Sequence, residues 1–226
     1  MRQFEHGSTT DQAEALAMSI SHALELVIKV KGWAVLAVSG GRSPVPMFER
    51  LRYRPLRWDC VTVTLVDERA VPPDDPDNNG KLVRDHLLRE GAAQAGFLPL
   101  VASAADAADP AATVARLNAA FRQPDVIVLG MGEDGHTASL FPDAPELQDA
   151  ISDPTPRYVL THPTLAPHAR ITLNLAALLA AERTFLAVAG AAKAAVLDRA
   201  LEGATPALPV SFVLHRHRRG VDIFRA

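Results

Sequence analysis

The sequence predicts an α/β fold, a parallel-rich open sheet with helices on both faces, and three observations carry that prediction. Four apolar runs of strand length stand out, Trp33–Val38, Cys60–Val66, Val126–Leu129 and Phe185–Ala189, and all but Cys60–Val66, which Thr62 and Thr64 interrupt, are continuous rather than alternating. Strands covered on both faces read this way. Helical stretches alternate with these runs across short loops, which is the pattern of a parallel sheet. Polar clusters stand where the runs end, at 39–43, 67–69, 130–136 and 190–193. Open α/β sheets bind ligands at the carboxyl ends of their strands.

Each element has a local reason. Thr9 or Thr10 caps a helix reaching about Lys31, with Ala13, Leu16, Ala17, Ile20, Leu24 and Val27 on one face. Gly32 ends it, and the strand Trp33–Val38 follows. Ser39-Gly40-Gly41-Arg42-Ser43-Pro44 leads into a short helix from about Val45 to Leu51. Proline suits a first helical turn, where its missing N–H has no partner to lose. The strand Cys60–Val66 ends at Asp67-Glu68-Arg69. A polar loop, Pro72–Asn79, precedes a helix over Gly80–Leu88. Alanine-rich residues 101–109 read as a surface connection and Pro110–Phe121 as a helix. After the strand Val126–Leu129, residues 143–156 read as a loop with one short helical turn. Tyr158–Leu160 and Ile171–Leu173 are strand candidates. Asn174 caps a helix over Leu175–Ala181. The strand Phe185–Ala189 ends at Gly190, and a helix covers Ala191–Leu201. Val210–Leu214 and Val221–Phe224 are the last strand candidates, with the basic run 216–219 as a solvated turn between them. Neither a repeat nor a linker interrupts the chain, so a single domain over residues 1–226 is expected.

Composition narrows the function classes. Hydrophobic residues make up 48% and charged residues 22% of the chain, which suits a globular core. A net charge of −3 and a pI near 6.2 argue against nucleic-acid or membrane partners, so an anionic ligand needs a local basic site. The single cysteine, Cys60, can form neither an internal disulfide nor a multi-cysteine zinc site. No apolar run of 18 residues exists, and the first residues, MRQFEHGSTTDQ, have no apolar signal core. A soluble cytoplasmic protein without an obligate protein partner is the expectation.

The segment Gly130-Met131-Gly132-Glu133-Asp134-Gly135-His136-Thr137 carries the most chemical information. Glycine lets backbone approach a ligand closely. Histidine takes and gives protons near neutral pH, so His136 is a candidate general base rather than a buried structural histidine. Asp134 is placed to orient the imidazole and raise its basicity, as the third member of a triad does. No GxSxG nucleophile elbow occurs, so water is the expected nucleophile. The other histidines lack metal-ligand spacing, and neither a metal nor a cofactor is expected.

Gly40, Gly41, Arg42 and Ser43 precede a helix start, a geometry that binds anions, though the same residues serve as a plain turn with Ser43 as N-cap. Arg69 is a candidate clamp for phosphate or carboxylate, with Asp67 or Glu68 fixing its guanidinium or binding sugar hydroxyls. The triplet also reads as a solvated strand end. Asn78 and Asn79 lie in the following loop as binding or ordinary turn residues. Arg170 opens a strand and Lys193 starts a helix, and each matters only if it points toward the loop cluster.

In this order the clusters resemble the 6-phosphogluconolactonase family, over about residues 10–225. The family's SGG-x-[ST]-P is similar to Ser39–Pro44, its DER-x-VP to Asp67–Pro72, and its G-x-G-x-DGHTASLFP stands complete as Gly130–Pro142. Its downstream asparagine resembles Asn79, and its late basic positions resemble Arg170 and Lys193 in Gly190-Ala191-Ala192-Lys193. Asn78 stands where serine is usual, and 74–77 lack a histidine often found there. The resemblance implies a fold of the sugar-phosphate isomerase/deaminase type. It implies metal-free hydrolysis of 6-phospho-D-glucono-1,5-lactone, a small phosphorylated sugar lactone, with His136 and Asp134 in catalysis. Gly40, Gly41, Arg42, Ser43, Asp67, Arg69, Asn79, Gly132, Arg170 and Lys193 would bind the substrate. Glucosamine-6-phosphate deaminase shares the first loop and the G-x-G-x-DGH segment but continues IAFNEP, with a glutamate in proton transfer. Here Thr137–Pro142 has no carboxylate, which favours the lactonase. A non-catalytic sugar-phosphate sensor is the remaining alternative.

Overall fold

Ten strands and nine helices follow one another in a computed structural model that describes residues 1–226. The strands are β1 (Arg2–Glu5), β2 (Ala34–Val38), β3 (Val61–Leu65), β4 (Asp67–Arg69), β5 (Gly96–Leu98), β6 (Val126–Leu129), β7 (Tyr158–Thr161), β8 (Arg170–Leu173), β9 (Arg183–Val188) and β10 (Val221–Arg225). The helices are α1 (Thr9–Lys31), α2 (Val45–Leu51), α3 (Asn79–His86), α4 (Ala104–Ala108), α5 (Pro110–Ala119), α6 (Leu147–Ser152), α7 (Leu175–Leu179), α8 (Ala191–Glu202) and α9 (Val210–Arg216).

Seven strands form one sheet in the order β1-β10-β9-β6-β2-β3-β5, and every neighbouring pair is parallel. Its inner strands β2 and β6 are buried along their whole length, which is why they read as unbroken apolar runs. Leu36, Ile127 and Leu129 are among the largest fully buried side chains, each stabilising the fold by about 1.5–3 kcal/mol. One apolar cluster joins the sheet to the helices around it. The helix α1 lies along β2, β6, β9 and β10 and packs on α2.

A second sheet, β4-β8-β7, is small and antiparallel. Val66 links the two sheets. Its N–H donates to Val38 O of the large sheet at 3.0 Å, and its carbonyl accepts from Leu173 N of the small one at 2.8 Å. The chain thus leaves the parallel sheet at β3 and enters the antiparallel one at β4 within a single residue. Asp67-Glu68-Arg69 is therefore a paired strand, not the frayed end of the preceding one.

The structure departs from the sequence expectations in several places, among them the run 216–219, where Arg216 ends α9 and His217 is buried against Thr184 rather than solvated. Val210–Leu214 belongs to α9, not to a strand. Its five residues are all buried against neighbouring helices, and a short apolar run fits a buried helix as well as a strand. The two edge strands β1 and β5 were not expected, being short and largely exposed without apolar alternation. The alanine-rich stretch contains α4, started by a capping box between Ser103 and Asp106. Ser8, one residue before the expected threonines, caps α1.

Strand order explains the convergence of polar clusters. β9, β6, β2 and β3 are consecutive neighbours and parallel. Their carboxyl ends therefore share one edge, which gathers loops 39–43, 130–136 and 190–193 beside the start of β4.

Candidate active site

The loop after β6 builds a histidine–aspartate pair within a few residues. His136 Nδ1 lies 2.6 Å from Asp134 Oδ1, and the His136 backbone N–H donates to the same oxygen at 3.2 Å. One carboxylate thus holds both ring and backbone. With Nδ1 carrying the proton toward Asp134, Nε2 is the basic nitrogen. Burial works against the Asp134 carboxylate, but the hydrogen bond and charge of His136 outweigh it and keep the carboxyl below its ordinary pKa. Gly132 is required by close approach. A Cβ there would overlap the His136 ring and the Asp134 carboxylate. The Thr137 hydroxyl donates to Gly130 O at 2.8 Å and closes the loop.

Beyond His136 the chain is held on several sides. Ala138 has φ of 49°, a left-handed conformation costing a non-glycine residue roughly 1–2 kcal/mol. Leu140 N donates to Thr137 O at 3.0 Å. Ser139 Oγ donates to Asp67 Oδ2 at 2.6 Å, and Ser139 N to Thr172 Oγ1 at 3.1 Å. These bonds tie the histidine loop to β4 and β8.

The small sheet supplies the cations. In the antiparallel register of β4 and β8, Arg69 and Arg170 are direct partners. Like charges so placed repel. Neither guanidinium forms an ion pair within the chain. Arg69 Nη1 donates to Asp77 O and Asn79 Oδ1, both at 2.7 Å. Arg170 Nη2 donates to Pro167 O at 3.0 Å, while its buried Nε has no partner. Burial and then the Arg69 charge push the Arg170 pKa below the usual arginine value. Two adjacent guanidiniums with unspent donors form a site that an anion would complete.

Neither Asp67 nor Glu68 fixes the Arg69 guanidinium, the first of the two roles expected of them. Asp67 accepts from Ser139. The fully buried Glu68 accepts the backbone N–H groups of Arg69, Asn79 and Gly80 at 2.8, 2.8 and 2.7 Å. Burial pushes its carboxyl up to about 7 against the opposing effect of these three donors. Asn78 is the cap of α3, accepting from Lys81 N at 2.8 Å. The Asn79 carboxamide connects three parts of the site. It accepts from Arg69, donates to Asp67 O at 3.0 Å, and lies directly under Gly40, where a Cβ would overlap it.

In the first loop the Ser39 hydroxyl donates to Val128 O at 3.1 Å and accepts from Gly130 N at 3.2 Å, stitching β2 to β6. Ser43 is exposed and does not cap α2, whose cap position is Pro44, so the Ser43 hydroxyl stays available. Gly40, Gly41, Arg42, Ser43, Asp67, Arg69, Asn79, Gly132, His136, Arg170 and Lys193 line one cavity of about 570 Å³, and Asp134 stands behind His136. Nowhere do three His, Cys, Asp or Glu side chains gather in a metal-binding group.

Sequence reasoning missed three contributors. The Asp77 carbonyl acts through the backbone, which leaves no trace in residue type. Glu68 was named as an alternative to Asp67, but its three backbone donors were not foreseen. Phe141, part of the 130–142 motif, lines the cavity and stacks on His136, with ring centroids 4.1 Å apart.

The profile of a family described as glucosamine-6-phosphate isomerases/6-phosphogluconolactonase matches residues 7–222. A 6-phosphogluconolactonase of Neisseria meningitidis serogroup A is 41% identical over 98% of this chain and 97% of its own. One from Pseudomonas aeruginosa is 45% identical over 86% of this chain and 83% of its own. The crystal structure of a Shewanella baltica 6-phosphogluconolactonase superposes with a TM-score of 0.91 at 36% identity, covering 100% of this chain and 97% of that one. A monomeric glucosamine-6-phosphate deaminase shares the fold with a TM-score of 0.77 at 18% identity, covering 100% of this chain and 97% of its own.

Proposed function

The chain belongs to the glucosamine-6-phosphate isomerase/6-phosphogluconolactonase family, and we propose that within it the protein hydrolyses 6-phospho-D-glucono-1,5-lactone to 6-phosphogluconate. The observation that carries this reading is the hydrogen-bonded His136–Asp134 dyad opening on the cavity that also holds Arg69, Arg170 and Lys193. A proton acceptor and a cluster of cations that no carboxylate of the chain pairs suit an ester that bears a phosphate.

The phosphate is bound by the basic cluster of Arg69, Arg170 and Lys193 with the 40–43 loop. Several fixed cations are needed to draw a dianion out of water. His136 Nε2 takes a proton from water as the water oxygen attacks the lactone carbonyl carbon. Asp134 stays ionised and stabilises the imidazolium. The oxyanion takes hydrogen bonds from backbone N–H groups of loop 130–137 or from a basic side chain. When the bond from C1 to the ring oxygen breaks, His136 returns its proton to that oxygen, and the new carboxyl group ionises. Such general acid–base catalysis contributes about 10²–10⁴ in rate. No step calls on a metal or cofactor. The reaction needs no obligate protein partner and suits a cytoplasmic enzyme. No helix of the chain is long and apolar enough to cross a membrane.

The fold shared with a deaminase names the competing reaction. Lactone hydrolysis followed against the buffer rate, beside ammonia release from glucosamine 6-phosphate, separates the two. Hydrolysis well above background without ammonia release is expected. Ammonia release without lactone hydrolysis would overturn the proposal, and binding of the lactone without either reaction would point to a sensor.

A further inference from the structure

We propose that Phe141 is a positioning residue whose ring sets the plane of the His136 imidazole. The inference rests on the reading of His136 as the base. Asp134 fixes only one nitrogen of the ring, at 2.6 Å. A single hydrogen bond leaves an imidazole free to swing about that contact, which carries Nε2 away from a bound lactone. The Phe141 ring removes this freedom. Its centroid is 4.1 Å from that of His136, with 28° between the planes. Asp134 thus sets the direction of the imidazole within its plane, and Phe141 sets the plane.

Phe141 can serve as a platform because it is itself fixed. It is buried, with 7% of its surface exposed. Its carbonyl accepts from Ala144 N at 3.2 Å, and the left-handed Ala138 and doubly anchored Ser139 hold the chain just before it. The Arg170 guanidinium carbon lies 5.8 Å from the same ring centroid. Cations are attracted to aromatic faces at such distances. One ring therefore touches both the proposed base and one arginine of the proposed clamp. The negative face of the ring also favours the imidazolium that forms when His136 takes its proton.

Phe141→Leu keeps an apolar side chain and removes the aromatic face. It is expected to lower kcat about tenfold with KM changed by no more than about twofold, while Phe141→Tyr retains most of the activity. Stacking also predicts a ring-current signature. The His136 ring-proton NMR resonances, assigned by their loss in His136→Asn, should lie upfield of ordinary histidines. They should move downfield in Phe141→Leu and return in Phe141→Tyr. Unshifted His136 resonances in the unsubstituted protein would overturn the proposal, and this result does not depend on whether the leucine variant folds. A folded Phe141→Leu enzyme with unchanged kcat would overturn it as well. Near-normal kcat in His136→Ala would instead remove the base assignment, so the two failures are distinct.

Discussion

The histidine loop and the arginine pair are built in opposite ways. Residues 130–141 form the dyad from one stretch of chain, with Gly132, Asp134 and His136 in contact inside five residues. Arg69 and Arg170 stand a hundred residues apart and meet only because β4 and β8 pair in one register. The contrast teaches that the geometry proposed for proton transfer is encoded locally, whereas the charge proposed to select the substrate is assembled by topology. If so, damage to the first region should act on turnover, and damage to the second on binding of phosphorylated substrate.

The largest expected effect is that of His136→Ala, which should lower kcat by at least about 10²-fold while product binding, measured by calorimetry, stays nearly intact. Equal loss of product affinity would break the division of labour. Next, Arg69→Ala or Arg170→Ala should raise KM for the phosphorylated lactone on the order of 10–100-fold with a smaller change in kcat. Steady-state kinetics on unphosphorylated gluconolactone supply the control. If that substrate suffers equally, the arginines are not a phosphate clamp. Gly132→Ala should cost roughly tenfold in kcat by pushing the dyad apart, with KM little changed. An unchanged kcat would show that the close packing over Gly132 does not set the geometry of the base.

The effect most remote from activity concerns stability and the joint between the regions. Glu68 has a folded pKa near 7, above the ordinary glutamate value of 4.5. A carboxyl raised on folding contributes stability that is full below pH 4.5 and lost as pH rises through 7. The loss attributable to Glu68 is on the order of 3 kcal/mol. The difference in unfolding free energy between the unsubstituted protein and Glu68→Gln should therefore vary between pH 4.5 and 7 and level off above it. A difference that is flat across this range would mean that Glu68 is ionised throughout.

How much was legible in the sequence follows the same division. The inner strands β2, β6 and β9 were readable because burial on both faces leaves continuous apolar runs, and β3 because apolar residues recur between its threonines. The edge strands β1 and β5 leave no such run, and α9 was mistaken for a strand because five buried residues, four of them apolar, are too few to show a period. Asp134 beside His136 was legible because both sit on one short loop. The partners of Arg69 were not, since one is a backbone carbonyl and the other, Asn79, reaches it only through the packing of α3 against β4. The stacking of Phe141 on His136 was equally hidden, because residue types do not reveal how the chain between them turns, here through a left-handed Ala138.

The central claim is that the two regions grip opposite ends of one molecule. The most direct test is a crystal structure with 6-phosphogluconate bound. The account predicts the C1 carboxylate within hydrogen-bonding distance of His136 Nε2, and the phosphate on the basic cluster that contains Arg69 and Arg170. A phosphate against His136, or an arginine pair without any anion, would contradict it.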